Sequence, residues 1–154
     1  MSVEIVIEGG AWHEASLTDL AKRATTAALA HLGLAPDAHE IALLACDDAR
    51  IAELNRDFRG KPTPTNVLSW PAATRGAPPD PGEGPELGDI AIAWETCVRE
   101  ASEAGLNLDM HLLHLLVHAT LHLLGYDHET EAEARVMEGT EIEILASLGV
   151  ANPY

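Results

Sequence analysis

The chain has 154 residues and a formal net charge of −16, from 9 Lys and Arg against 25 Asp and Glu. That length supports a single domain, 1–154, burying roughly 68–70% of its unfolded-chain surface, and the acidity forgoes the attraction by which basic proteins hold arbitrary nucleic acid. No run approaches the ~18 apolar residues of a membrane span, MSVEIVIEGG lacks the parts of an export leader, and Cys46 and Cys97 form no CxxC pair, so a cytoplasmic protein with reduced thiols and no membrane contact is expected.

In chain order, VEIVIE at 3–8 alternates polar and β-branched apolar residues and predicts an opening strand. Residues 16–32 are rich in Ala and Leu at helical spacing, with Ser16 or Thr18 as N-cap and Gly33 as stop signal. HEIALLACD at 39–47 predicts a second strand, after which Asp47 or Asp48 caps a short helix reaching residue 57. Residues 65–70 and 88–94 predict two more strands, and between them AATRGAPPDPGEGPE at 72–86 predicts an exposed loop. Three helices follow, over 94–104, 109–124 and 131–148. The middle one carries Leu112, Leu113, Leu115, Leu116, Val117, Leu121, Leu123 and Leu124 around most of its circumference, the mark of a helix surrounded by protein. The expected fold class is α/β in the α+β sense: a small four-stranded mixed sheet packed with about five helices.

That buried helix ends in HATLHLLGYDH, residues 118–128. His118 and His122 are four apart and share one helix face. Gly125 supplies the left-handed residue at which a helix stops and turns back, and the returning chain brings His128 toward the pair. Three neutral imidazoles without a fourth protein ligand describe an open tetrahedral zinc site at the end of the helix, with one position kept for water. His111 and His114 lie on the same stripe; at a rise of about 1.5 Å per residue His114 stands two turns short of the reversal and His128 reaches the later pair more easily, so His111 and His114 are candidates for a supporting or structural role. In HExxH metalloproteases a Glu beside the first His serves as general base. Here that position is Ala119, whose methyl group takes no proton, and a protease-like zinc hydrolase becomes the lesser alternative.

The motif resembles the HGxLHLxGYDH signature of the YbeY family, bacterial single-domain zinc endoribonucleases linked to ribosomal RNA maturation and ribosome quality control. LNRDFRGKPTPTNVLSWP at 54–71 is similar to that family's LNxxFRxxxxxTDVLSFP, and LGDIAIA at 87–93 to its LGDIxIS, in the same order. Ala119 stands at a family Gly and Trp70 at a family Phe, both mild changes, whereas Asn66 stands at the family Asp and removes a negative charge.

The resemblance implies metal-assisted cleavage of single-stranded RNA, with one Zn²⁺ held by His118, His122 and His128 and the ribosome or its proteins as partners; no DNA or membrane partner is implied. Arg50, Arg56, Arg59 and Lys61 form a local basic segment in the acidic chain, with the acidic residues crowded elsewhere, among them Glu129, Glu131, Glu133, Glu138, Glu141 and Glu143. Arg59 stands at the family's Arg, where a guanidinium binds phosphate and stabilises developing negative charge. Catalysis therefore falls to Arg59 and to His118 as a ligand of the activating metal, while Asp127, beside a ligand, is a candidate to orient an imidazole. A non-catalytic ribosome-associated zinc module is the remaining alternative.

Overall fold

A computed structural model describes residues 2–72 and 85–154. Its elements are β1 (Ser2–Ile7), α1 (Glu14–His31), a 3₁₀ turn (Pro36–Ala38), β2 (Glu40–Cys46), α2 (Asp48–Arg59), β3 (Val67–Pro71), β4 (Glu86–Ala93), α3 (Trp94–Glu103), α4 (Leu108–Leu123) and α5 (Glu131–Ser147). The four strands form one mixed sheet in the order β1-β2-β4-β3, parallel throughout except for β3, which runs antiparallel to β4 at the edge. The expected fold class holds. Most of the loop predicted at 72–86 lies outside the described residues.

Strand alternation divides the core. Ile41, Leu43 and Ala45 of β2 and Ile90 and Ile92 of β4 join the apolar faces of α1, α4 and α5 on one side of the sheet. Cys46, Leu68, Ala91 and Ala93 meet Ile51 of α2 on the other, with Leu44, Leu54 and Trp70 packed against them. Because successive side chains point to opposite faces, Ser69 of β3 takes the same side as Val67, the side of α4. Both thiols, Cys46 and Cys97, are free and buried. Burial, helped by nearby carboxylates, pushes each up to about 12.

The start of α1 differs from expectation. Helix α1 begins at Glu14 and is capped by His13, whose Nδ1 accepts the Ser16 amide. An imidazole nitrogen does what a hydroxyl oxygen usually does at an N-cap, so Ser16 falls inside the first turn. Asp47 caps α2 through Oδ1 to the Arg50 amide, as expected.

Helix α4 packs against α1, α3, α5, β3 and β4. Nine of its residues are buried, and its end is a Schellman turn: the Tyr126 amide donates to Leu121 O and the Gly125 amide to His122 O, with Gly125 at φ 98°. A second glycine fixes the distance between this helix end and the sheet edge. Gly88 of β4 has φ 143°, and a Cβ there would stand 2.2 Å from the Trp70 carbonyl oxygen and 2.9 Å from Leu123 Cδ2. Gly88→Ala is therefore expected to cost about 3 kcal/mol through overpacking and backbone strain, read as a lowered urea midpoint; a midpoint equal to that of the parent protein would contradict this packing.

Candidate functional site

Between the sheet edge and α4 lies a cleft of about 740 Å³ whose lining includes Arg59, Asn66, Ser69, His114, His118, His122, Asp127, His128 and Tyr154. Its lining takes His114, His118 and His122 from the histidine stripe of α4. His111, His114, His118 and His122 recur every three or four residues, so the helix presents all four on one side, and each ring is held by a side chain from another element.

The deepest of these partners is Glu141 of α5, which is fully buried. His118 Nδ1–H donates to Glu141 Oε1 and the Tyr154 hydroxyl to Oε2, with His114 Nε2 3.5 Å from Oε2. Burial pushes the Glu141 carboxyl up, but hydrogen bonds from His114, His118 and Tyr154 outweigh it and bring it down to about 2. Burial and the adjacent carboxylate together push the Tyr154 hydroxyl up, so it remains a donor. His114 Nε2 lies 3.2 Å from the Tyr154 oxygen.

His122 is held from the sheet: its Nδ1 shares a short hydrogen bond with Ser69 Oγ at 2.5 Å. Burial lowers the pKa of His122, and the potentials of His118, His128 and Arg59 add to the shift while Asp127 opposes it. The ring is thus kept neutral, the form that binds metals. In both His118 and His122, Nδ1 is engaged by a fixed partner and Nε2 remains for a ligand, the usual arrangement of metal-binding imidazoles.

His128 follows the Gly125 turn and is exposed. Its ring stacks on that of His118, 5.6 Å between centroids at 29°. Asp127 Oδ1 accepts the His128 backbone amide, so Asp127 shapes the turn carrying His128. All three sequence-predicted ligands reach one cleft, and their chemistry suits an imidazole-binding cation. Among the described residues, however, no three His, Cys, Asp or Glu side chains are drawn into a formed metal-binding cluster.

The basic segment is dispersed. Arg50 is paired with Glu8 and Glu53, and Arg56 with Asp57. Arg59 has no such ion pair among the described residues and stands exposed on the cleft wall. Asn66 lies deeper, its amide nitrogen 3.0 Å from Glu100 Oε1, the same oxygen that accepts from His111 Nε2 at 3.0 Å. An Asp at 66 would set two carboxylates against each other. Asn turns that contact into a hydrogen bond, which gives the departure noted at this position a structural reason.

Glu141, Ser69 and Tyr154 were not singled out by the sequence, and Glu141 was counted with the acidic surface. Its position argues otherwise: Met137, Glu141, Ile144 and Leu145 are the buried stripe of α5, and a carboxylate on a core stripe requires a buried partner.

A family model described as Endoribonuclease YbeY matches residues 7–149. Proteins named Endoribonuclease YbeY include one from Dinoroseobacter shibae, 58% identical over 163 residues and covering 99% of this chain and 90% of the relative. Another, from Jannaschia sp., is 53% identical over 161 residues with both chains fully covered. Among solved structures, the solution structure of TM1509 from Thermotoga maritima superposes with a TM-score of 0.57 at 23% identity, covering 96% of this chain and 91% of that one; at this identity the likeness is one of fold.

Glu141→Gln should cost about 2–3 kcal/mol in the metal-free protein at neutral pH, since hydrogen bonds to a charged acceptor are lost. The folded carboxyl lies at about 2 against a reference of 4.5. Its stabilisation is thus complete above the reference value and disappears as the pH falls through about 2, so the gap between the two proteins in urea melts should close on acidification. A gap independent of pH would contradict an ionised Glu141.

Proposed function

This chain belongs to the YbeY family of endoribonucleases, and from that premise we propose that it is a zinc-dependent endoribonuclease acting on single-stranded RNA at the cleft beside α4. The single observation that carries the reading is the pair His118 and His122, one helical turn apart, each with Nδ1 engaged and Nε2 left for a ligand. His128 completes the set of proposed metal ligands. Held by His118, His122 and His128, a zinc ion would supply Lewis acidity toward a phosphoryl oxygen and would bring the pKa of water to about 7.

The chain's own residues do the rest. Glu141 keeps the His118 Nδ1 proton in place and so fixes its tautomer; Ser69 sets the plane of His122. Arg59, exposed at the end of α2 and without an ion pair among the described residues, binds the phosphate by a charge-assisted pair and balances the negative charge that builds during cleavage. Ala119 is fully buried and offers no base beside the first ligand, which disfavours peptide hydrolysis. A net charge of −16 points to targeting by a partner, and we assign the protein to the maturation and quality control of ribosomal RNA in the cytoplasm, with the ribosome or its proteins as that partner.

Elemental analysis joined to an RNA cleavage assay tests the reading. The expected outcome is one zinc per chain and chelator-sensitive cleavage of single-stranded RNA, with casein untouched; metal-bound protein that leaves RNA intact would overturn it. Arg59→Ala should lower the cleavage rate about 100-fold, comparable to losing one transition-state donor, at unchanged zinc content. Unchanged cleavage would remove Arg59 from the mechanism.

A further inference from the structure

Phe58 is 64% exposed in a chain with only six aromatic Phe, Trp and Tyr residues. It occupies the last turn of α2, immediately before Arg59, and leans on Trp70 of β3 with ring centroids 5.2 Å apart at 60°. Trp70 is itself packed against the core on the α2 side, so the exposed ring has a rigid support. Both rings line the cleft that contains His118 and His122. Leaving a large apolar ring in water forgoes burial energy, and among the described residues Phe58 joins neither buried core cluster.

We propose that Phe58, braced by Trp70 at the rim of the cleft, is a stacking platform for one nucleobase of the RNA whose neighbouring phosphate is held by Arg59. The proposal rests on the ribonuclease reading of the same cleft. Stacking needs no positive surface, which suits a chain of net charge −16, and each base presents a π-face, so the platform is tolerant of sequence. It also demands an unpaired base, because a base within a duplex is already stacked and its strand cannot splay. The other side of the Phe58–Trp70 pair opens onto a groove whose lining among the described residues includes Glu4, Glu8 and Asp89 and no Lys or Arg, so the RNA approaches from the histidine side, where Arg59 stands.

The test uses metal-loaded full-length protein and short fluorescent oligoadenylate and oligouridylate, with binding followed by anisotropy. The parent protein should bind the adenylate more tightly, since purines stack better, and Phe58→Ala should weaken binding about tenfold and erase the difference between the two oligonucleotides. Phe58→Tyr should restore both, with zinc content constant across the series. Val136, also exposed at 62% but on α5, serves as control: Val136→Ala should bind RNA as the parent does. Salt titration separates the contacts, because Phe58→Ala should lower affinity without altering the salt slope, whereas Arg59→Ala should reduce that slope by about 0.7, the value for one phosphate contact on a single strand. If the parent protein cleaves RNA while Phe58→Ala binds equally well, or if Phe58→Leu matches the parent, the stacking platform is wrong and the exposed ring belongs to a protein contact. If the parent neither binds nor cleaves RNA, the ribonuclease reading falls and this proposal with it.

Discussion

Glu141 places a negative charge in the interior, where an unpaired ion is among the most costly things a fold can contain. It is tolerated because donors from α4 and from the C-terminal segment converge on its two oxygens. The tolerance works in both directions. The charge fixes the proton on His118 and draws His114 and Tyr154 into place, while those groups hold the carboxyl ionised. One side of the cleft is thereby ordered from beneath by a residue that touches no solvent, and Ser69, from the sheet edge, does the corresponding work for His122.

The placement of these supports follows from the architecture. An antiparallel edge strand lets β3 reach α4 with Ser69 on its inward register, and Gly88 permits the strand and the helix end to approach closely. The helix then ends in a hydrogen-bonded reversal at the point where His128 must leave it. Sheet edge, helix end and turn form one mechanical unit, so a disturbance of backbone packing at Gly88 reaches the imidazoles without touching them.

Most of this organisation could be read from the residues. The strand and helix periodicities gave the element order, and the spacing of His118, His122, Gly125 and His128 put these residues at the helix end where the structure brings the three imidazoles to one cleft. Contacts between distant segments were less accessible. That Glu141 is buried follows from its place on the α5 stripe, yet which histidine it meets depends on how α4 and α5 cross. Tyr154 reaches the cleft only because of the path taken after α5, and Asn66 becomes intelligible only once Glu100 and His111 are seen beside it. The His13 cap shows the opposite limit: a ring nitrogen replaced the expected hydroxyl because capping requires an acceptor, not a particular residue type. The basic segment, a cluster on paper, is thinned in the fold: among the described residues carboxylates claim Arg50 and Arg56, and Arg59 is left at the cleft.

The interior thiols carry a practical corollary. Thiolate, not thiol, is the nucleophile toward alkylating reagents, and Cys46 and Cys97 are both buried with pKa values pushed up to about 12. The native fold is therefore a silent background for maleimide chemistry: a cysteine introduced on the outer surface, for instance on the solvent side of α5, would take up a spectroscopic label ahead of either native sulfur, without a prior cysteine-free variant.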